Sequence, residues 1–399
     1  MKHKNIAYVY KSALINNYSQ IEYIVSDGAK KIGEEKPRVI SVVKADAYGH
    51  GIATTAGALG DAGCDFFAVS SEEEAAELRE IEKRNGRHPD ILILGHISPE
   101  NVYDMIRDDI ICAVVSYDNA IELANAAESV GRRLKIHLKL DTGMNRVGFP
   151  ADERDAEKTV DEITELSKNE NLNICGVFTH FSSADEEIMN GNIIEGYEVC
   201  GGYTRMQLER FKKILDELHK NGVDTGVRHA ANSAASLGLP EAYFDAVRAG
   251  VIIYGLMPNG AIDPRFTPAM QFDSSVTHIH KVNPGERISY GATFQPKREM
   301  LIATVAAGYA DGFERAYSGC SVMIGGKMYP QVGRICMDQF MVDITPEEGT
   351  ESDVKVGDAV TLFGGDGGQM STDLASRAGT INYEVICKVS KRVPRVVIE

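Results

Sequence analysis

The regular alternation of short apolar runs with amphipathic helical segments is the feature that most constrains this fold. Eight β-rich runs occur before residue 250, at residues 39–43, 66–69, 91–94, 113–115, 136–140, 174–178, 227–229 and 245–247. Apolar strands that alternate with helices form parallel sheets buried on both faces. Eight such units are the number that closes a (β/α)8 barrel of the TIM type. We therefore predict an N-terminal (β/α)8 barrel over residues 11–262.

The texture of the sequence changes after residue 262. Five β-rich runs follow at residues 275–282, 300–305, 322–324, 341–344 and 359–363. Glycine and proline turns separate them, and regular intervening helices give way to a single helical segment near residues 371–379. This pattern predicts a mainly antiparallel β domain over residues 263–399. Residues 1–10 are a candidate extra strand of that domain, and the fold class is α/β plus β.

Charge and cysteine usage exclude several functional classes. The formal net charge of −16 argues against nucleic acid or an anionic membrane surface as the main partner. The seven scattered cysteines show no Cys-x-x-Cys pair, so we predict no disulfide framework, no metal site and a reducing cytoplasm. No stretch approaches the roughly twenty apolar residues that a membrane helix needs.

Polar residues that follow the strands are the candidates for a functional site, because barrel enzymes build their sites at the carboxyl ends of the strands. The residues in these positions are Lys44 and Tyr48 after the first run, Asp141 and Arg146 after the fifth, His180 after the sixth, Asn232 and Ser233 after the seventh, and Arg248 and Gly250 after the eighth. We predict that all of them surround one mouth of the barrel.

Lys44 suggests Schiff-base chemistry, because a desolvated lysine has a depressed pKa and attacks carbonyl groups. Ser233 and Gly250 follow strands where this fold commonly holds a phosphate. A lysine across a barrel from a phosphate site fits pyridoxal 5′-phosphate, and it also fits an aldolase of phosphorylated sugars. The position of the lysine on the first strand favours the cofactor.

Each candidate has an ordinary structural alternative. Lys44 could mark where a strand meets water, and His180 could be a hydrogen-bonded structural histidine. Arg248 could form a structural ion pair, and Ser233 could cap a helix. If each of these residues had its own structural role, nothing would place all of them at strand ends on one rim of the barrel. Their common position therefore favours a functional role.

Specific sequence blocks then identify a family. They are residues 43–51 (VKADAYGHG), 137–144 (HLKLDTGM), 179–181 (THF), 232–235 (NSAA), 289–293 (SYGAT), 308–312 (GYADG), 332–338 (VGRICMD) and 381–384 (INYE). In this order, and over nearly the full length, the chain resembles the bacterial alanine racemases, which are fold-type III pyridoxal phosphate enzymes. Asn145 stands where the family usually has glycine, and asparagine tolerates a positive φ well.

The resemblance implies an enzyme that interconverts L-alanine and D-alanine. Lys44 would carry the cofactor and serve as one catalytic base, and Tyr290 would be the other. Two fixed bases suit racemisation, which removes a proton from one face of Cα and returns one to the opposite face. Tyrosine needs nearby positive charge to act as a base, and Arg146, Arg248 and His180 are the candidates.

The resemblance implies roles for further residues. Tyr48, Ser233, Gly250, Val251 and Tyr383 match phosphate-contacting positions, Asn232 and His180 also belong to the expected cofactor site, and Arg248 would face the pyridine nitrogen. Arg146 and the backbone amide of Met337 match the groups that receive the substrate carboxylate, with Asp338 beside them. Tyr309 and Arg334 match an access corridor, and Lys139 matches a position that carries a carbamate in some members.

The family is a head-to-tail homodimer, so the resemblance also implies composite sites and a role in supplying D-alanine for peptidoglycan. The bulk of Tyr383 argues for alanine as the substrate. Three alternatives stay open at this point: a racemase of serine or another small amino acid, a non-catalytic pyridoxal phosphate-binding barrel, and a barrel aldolase.

Overall fold

The computed structural model describes residues 5–190, 202–365 and 370–399. Its strands are β1 (Ile6–Tyr10), β2 (Arg38–Val42), β3 (Phe66–Val69), β4 (Asp90–Ile93), β5 (Ile111–Val114), β6 (Leu134–Asp141), β7 (Phe149–Pro150), β8 (Leu172–Phe178), β9 (Val227–His229), β10 (Ala246–Ala249), β11 (Met270–Val282), β12 (Met300–Val305), β13 (Ser321–Ile324), β14 (Lys327–Val332), β15 (Phe340–Asp343), β16 (Ala359–Phe363) and β17 (Arg395–Ile398). Its α-helices are α1 (Lys11–Lys31), α2 (Lys44–Tyr48), α3 (Ile52–Asp61), α4 (Glu72–Arg84), α5 (Val102–Arg107), α6 (Tyr117–Val130), α7 (Ala156–Leu166), α8 (Tyr203–Lys220), α9 (Ser233–Gly238), α10 (Ser371–Ala378) and α11 (Asn382–Cys387).

Eight parallel strands form the N-terminal barrel, in the order β10-β2-β3-β4-β5-β6-β8-β9. The first and last of these strands also meet. Asp245 N–H donates to the Arg228 carbonyl at 3.0 Å, and Arg248 N–H donates to the Ala231 carbonyl at 2.9 Å. These bonds join β9 to β10 and nearly close the barrel, which confirms the predicted (β/α)8 architecture.

The packing of the barrel follows from the sequence pattern. All four residues of β3 are buried, as expected of a strand covered on both faces. Helix α8 buries Leu208, Phe211, Leu215 and Leu218, which recur at helical spacing and face the sheet. Alternating strands and amphipathic helices therefore place the carboxyl ends of all eight strands at one rim.

The C-terminal domain is an eight-stranded, mainly antiparallel sheet in the order β12-β15-β14-β13-β16-β11-β1-β17. The N-terminal strand β1 pairs antiparallel with β11 and parallel with β17. The first strand of the chain thus lies in the C-terminal sheet, and the fold class of a barrel plus a β domain is confirmed. The boundary after residue 262 stays a prediction.

Two C-terminal elements contact the barrel where the candidate site lies. Asn382 of α11 donates from Nδ2 to the Met257 carbonyl at 3.0 Å. Arg395 of β17 donates from Nε to the Gly49 carbonyl at 2.9 Å. Among the described ranges, no helix has both the length and the apolar character that crossing a bilayer requires.

Candidate active site

A cavity of about 840 Å³ opens at the carboxyl ends of the barrel strands. It is lined by many of the residues that the sequence singled out, namely Lys44, Tyr48, Lys139, Arg146, His180, Asn232, Ser233, Arg248, Gly250 and Tyr383. These residues come from five strand ends and from helix α11. Of the nine strand-end residues that the sequence singled out, eight line this cavity, and Asp141 ends β6 next to the loop that carries Arg146.

Lys44 projects from a turn of unusual backbone conformation. Ala45, Asp46, Ala47 and Tyr48 all have φ between 52° and 54°, in the left-handed region. Such a conformation costs roughly 1–2 kcal/mol per residue for side chains other than glycine. Strain of this kind persists where surrounding contacts over-determine it, which is typical of functional sites.

The half-buried amine of Lys44 has a lowered pKa. Burial is the largest cause, and the positive charge of Arg146 lowers the pKa further, whereas Glu74 opposes the shift. A lowered pKa increases the neutral fraction of the amine, which is the form that attacks a carbonyl. Lys44 is thus suited to the Schiff-base chemistry that the sequence suggested.

Two hydroxyls and one glycine form a cradle in the cavity that Lys44 lines. Ser233 Oγ accepts a hydrogen bond from the Gly250 amide at 2.9 Å. A Cβ built on Gly250 would fall 2.8 Å from the Tyr48 hydroxyl oxygen. Glycine is therefore required for the close approach of these groups. Asn232 caps α9, because its side-chain oxygen accepts from the Ala235 amide at 3.1 Å. The helix-capping role considered for Ser233 is therefore filled by Asn232.

Both terminal nitrogens of the Arg248 guanidinium form hydrogen bonds behind the cavity. Its Nη2 donates to the carbonyls of Thr179 at 2.6 Å and Ala230 at 2.9 Å, and its Nη1 donates to the His229 carbonyl at 3.0 Å. In the described part of the chain it pairs with no carboxylate, so the structural ion-pair alternative is wrong. Burial lowers the Arg248 pKa to about 9, which still leaves the guanidinium charged at neutral pH.

Two histidines that the sequence did not single out extend this network. Arg248 Nη1 lies 2.8 Å from His229 Nδ1, and His229 Nε2 lies 2.9 Å from His137 Nδ1. A guanidinium can only donate, so His229 must accept at Nδ1 and donate from Nε2 to His137. The alternation of His137, Lys139 and Asp141 along β6 was the available signal, because such residues share one face of a strand.

His180 adds no positive charge to the pocket. Its Nδ1 lies 3.4 Å from Arg248 Nη2. Burial, and then the charge of Arg248, lower the His180 pKa well below its ordinary value. His180 is therefore neutral at neutral pH, so of the three predicted sources of positive charge for Tyr290 only Arg146 and Arg248 remain.

Asp141 organises the loop that presents Arg146. Its Oδ2 accepts from the Arg146 amide at 2.9 Å, and its Oδ1 accepts from the amides of Gly143 and Asn145, each at 3.0 Å. Asn145 has φ of 54°, so asparagine does adopt the left-handed conformation at the position where the family usually has glycine. The Arg146 loop is well fixed despite that substitution.

Lys139 is buried beside the cavity with its amine next to Arg248. Burial, and then the charge of Arg248, lower the Lys139 pKa to about 7. Its Nζ donates to the Leu140 carbonyl at 2.8 Å and lies 5.4 Å from the centroid of the Phe178 ring. About half of such amines are neutral at neutral pH, and the neutral form is the nucleophilic one.

The remaining predicted site residues lie elsewhere. Val251 is buried behind the glycine cradle. Five others belong to the C-terminal domain and do not line the described part of the cavity of their own chain: Tyr290, Tyr309, Arg334, Met337 and Asp338.

Four of these five residues form a connected surface. Ser289 Oγ, next to Tyr290, donates to the Arg334 carbonyl at 2.6 Å, and the Tyr309 amide donates to the Cys336 carbonyl at 3.1 Å. Tyr290 is 67% exposed and Met337 is 52% exposed. Large apolar side chains are seldom left so exposed together, which indicates a surface that another molecule covers.

Taken together, these features define a (β/α)8-barrel enzyme of the pyridoxal phosphate class. Two family models cover most of the chain: residues 12–258 match the alanine racemase N-terminal domain, and residues 269–397 match the alanine racemase C-terminal domain. The chain belongs to the alanine racemase family. The resemblance read from the sequence blocks is therefore confirmed, as is pyridoxal phosphate, the cofactor of this family.

Individual relatives agree over nearly their whole lengths. The alanine racemase of Methanococcus maripaludis is 39% identical over 96% of both chains, and that of Clostridium novyi is 42% identical over 90% of this chain and 89% of the relative. The solved alanine racemase of Clostridium difficile 630 has a TM-score of 0.84 at 36% identity, covering 100% of this chain and 97% of that one. The Bacillus anthracis alanine racemase with bound L-Ala-P also has a TM-score of 0.84, at 33% identity, covering 100% and 96%.

Proposed function

We propose that this chain interconverts L-alanine and D-alanine with pyridoxal phosphate bound at Lys44, and thereby supplies D-alanine for peptidoglycan. The observation that carries the proposal is the cavity, which combines a desolvated strand-end lysine, a hydroxyl-lined glycine cradle and a buried arginine. Membership of the alanine racemase family supports the reaction. The cytoplasmic location stays a prediction from cysteine usage.

The residues present fit pyridoxal phosphate at both of its ends. The space that a Cβ on Gly250 would fill lies beside the Tyr48 hydroxyl and Ser233 Oγ, and suits a phosphate oxygen. Arg248 would face the ring nitrogen, which its guanidinium cannot readily protonate. Further contacts are assigned to His180, Asn232, Val251 and Tyr383. When bound, the cofactor supplies an electron sink that makes the Cα–H bond of an attached amino acid acidic.

Two groups move the proton at Cα. Lys44 Nζ serves one face, and the hydroxyl of Tyr290 of the partner subunit serves the other. A tyrosine acts as a base only where positive charge favours its phenolate, and Arg146 and Arg248 supply that charge. Each base holds the proton on its own side, so inversion follows from the positions of the two groups.

A head-to-tail homodimer would complete each site. Tyr290, Tyr309 and Met337 are all exposed in the single chain, at 67%, 39% and 52% respectively. The same connected surface includes Arg334, which with Tyr309 would line an access corridor. Covering this surface with a second barrel would bury the aromatic groups and bring the tyrosine hydroxyl to the neighbouring cavity.

The substrate carboxylate would be received by Arg146 and by the backbone amide of Met337 of the partner subunit. Asp338, beside that amide, forms a salt bridge at 2.8 Å with Arg392, which also binds Asp311 at 2.7 Å. This pairing holds the loop that offers the amide. A guanidinium suits a carboxylate because it presents parallel N–H donors.

Lys139 is proposed to carry a carbamate. Its amine, with a pKa of about 7, is partly neutral at neutral pH and can attack CO2 to form a carbamate, with release of one N–H proton to solvent. The resulting negative charge would lie beside Arg248 and Arg146 and would offset their mutual repulsion. Protein equilibrated with ¹³C-bicarbonate should show a carbamate resonance by ¹³C NMR, and Lys139→Ala should abolish it. A wild-type spectrum without that resonance would contradict the assignment.

The function is tested by purifying the protein, recording its absorbance and assaying each alanine enantiomer. We expect the yellow absorbance of a lysine-bound cofactor, and loss of optical activity from both L-alanine and D-alanine. A substrate panel that includes serine separates an alanine racemase from a racemase with broader specificity. A colourless protein that stays inactive after pyridoxal phosphate is added would overturn the proposal.

A further inference from the structure

Helix α4 begins with a Ser-x-x-Glu sequence whose glutamate makes an unexpected connection. The Ser71 side chain accepts from the Glu74 amide at 3.4 Å, as the Ser-x-x-Glu pattern predicts. The Glu74 carboxylate, however, extends across the ends of two barrel strands. Its Oε2 accepts from the Ser70 amide at 2.8 Å and from Ser70 Oγ at 2.9 Å, and its Oε1 accepts from the Ala45 amide at 2.6 Å.

Ala45 is the residue directly after Lys44 and the first of the left-handed turn. A turn of this kind needs contacts that hold it in place. Four side chains provide such contacts: Glu74 at the Ala45 amide, Asp46, whose carboxylate accepts from the Ile52 amide at 2.8 Å, His50 at the Ala47 and Tyr48 carbonyls, and Arg395 at the Gly49 carbonyl. Of these, the Glu74 contact lies nearest to Lys44 in the chain.

The charge of Glu74 also acts on the lysine. Glu74 is the carboxylate that raises the Lys44 pKa, against burial and Arg146, which lower it. The other ionisable groups that face Lys44 are Cys387 and His180. Glu74 therefore combines a geometric link between the ends of β2 and β3 with a negative charge that acts on the amine.

We propose that Glu74 is a positioning residue for Lys44: by joining the ends of β2 and β3 through one carboxylate, it fixes the direction in which the lysine projects into the cavity. The inference rests on the proposed function, because it assigns Glu74 a purpose only if Lys44 carries the cofactor. It predicts that the span of the side chain matters, as well as its charge.

Three variants separate span from charge. Glu74→Gln keeps the shape of the side chain but removes its charge. Its amide N–H group would also face the amides of Ala45 or Ser70, which are themselves donors. Glu74→Asp keeps the charge but is one methylene too short to reach both strand ends. Glu77→Gln, an exposed glutamate one turn further along α4, is the matched control.

The holoenzymes are compared by kcat, KM and a pH titration of the yellow absorbance. Both Glu74 variants should lose at least about tenfold in kcat with a much smaller change in KM, as misplacement of a reacting group predicts. The titration should move to lower pH in Glu74→Gln, because a stabilising anion is lost, and should stay in place in Glu74→Asp. Glu77→Gln should match the wild type in every measurement.

Melting temperatures check that the variants fold. If Glu74→Gln does not fold, Glu74→Asp and Ser70→Ala carry the test, since Ser70→Ala removes one of the three hydrogen bonds and should lower kcat to a smaller extent. A wild-type kcat in Glu74→Asp, or an equal loss in Glu77→Gln, would overturn the proposal. The wild-type absorbance and activity test the function of the chain separately, so the two failures are distinguishable.

Discussion

Arg248 fixes the direction of hydrogen bonding throughout the centre of the barrel. Because it can only donate, the tautomer of His229 follows from it, and the tautomer of His137 follows from His229. The burial that makes this network rigid also lowers the pKa values of both histidines, that of His137 to about 3. The centre of the barrel thus keeps a fixed positive charge at Arg248, and His137 and His229 stay neutral near neutral pH.

Tyr290→Phe should uncouple the two faces of Cα. The enantiomer whose Cα hydrogen faces Lys44 should keep exchanging it with D2O, whereas exchange of the other enantiomer should fall by about 10²-fold or more, because phenylalanine has no hydroxyl to take the proton. Net racemisation must fall equally in both directions, since the equilibrium constant between enantiomers is one. Exchange is therefore the informative measurement, made by mass spectrometry on each enantiomer separately at low conversion.

The control for this exchange experiment is Tyr103→Phe, which alters a tyrosine of similar exposure, 60%, on the barrel surface. It should leave both exchange rates unchanged. Equal loss of exchange from both enantiomers of alanine in Tyr290→Phe would contradict the two-base assignment.

Tyr383 should set the size of substrate that the cavity accepts. Its ring lies beside that of Tyr48, with centroids 6.1 Å apart, at the mouth of the cavity. Tyr383→Asn should raise kcat/KM for serine relative to alanine by about tenfold, the usual scale for one added or removed group in a pocket. Tyr383→Phe keeps the bulk and should leave that ratio unchanged. An unaltered ratio in Tyr383→Asn would remove Tyr383 as the specificity residue.

At the scale of single elements, the β9–α9 and β10 ends form the cradle, with Gly250 at its centre. Gly250 has φ of −113° and ψ of −104°, a combination outside the regions that other residues favour. Gly250→Ala therefore adds backbone strain as well as a Cβ facing the Tyr48 hydroxyl. We expect the dissociation constant for pyridoxal phosphate to rise at least about tenfold, equal to roughly 1.4 kcal/mol. Fluorescence or absorbance titration of the cofactor-free protein measures it.

Gly57→Ala in helix α3 is the matched control for the cradle variant, because a Cβ there meets nothing within 4 Å. Alanine also favours a helix over glycine, so this variant should bind the cofactor as the wild type does. Wild-type affinity in Gly250→Ala would show that the glycine is not needed for phosphate.

The elements that could be predicted are those whose pattern is periodic. The runs at 66–69, 227–229, 300–305 and 359–363 match β3, β9, β12 and β16 to the residue. Strand β14 was missed because it contains Pro330, which cannot donate a ladder hydrogen bond and argues against a strand that pairs on both sides, as β14 does with β13 and β15. Strand β17 was missed because its four residues are mostly exposed and are stabilised only by pairing with β1, which is distant in sequence.

The residues of the candidate site likewise fall into those that the sequence could predict and those that it could not. Residues at strand ends were predictable, because barrel topology alone brings them to one rim. The contact of Glu74 with Ala45, and the chain from Arg248 to His137, depend on side-chain directions between elements that the sequence does not specify. Helix α11 was also missed as an element, although Tyr383, which it carries to the cavity, was identified by resemblance.

At the scale of the whole molecule, the proposed two-base mechanism requires two chains. The barrel cavity holds Lys44, Arg146 and Arg248, whereas Tyr290 and Met337 lie exposed on the C-terminal domain. A closed twofold arrangement places the same surface of each chain against its partner, so two composite sites arise together. Separation into monomers should therefore abolish racemisation even where each chain stays folded.

Complementation between two inactive variants tests this claim most directly. Lys44→Ala and Tyr290→Phe are each purified as inactive protein, mixed in equal amounts, and allowed to exchange subunits before racemisation is assayed. Half of the dimers should then be mixed, and each mixed dimer has one site with both bases intact, so about a quarter of the wild-type activity per site should return. Activity that stays at the sum of the two separate variants would contradict the composite site.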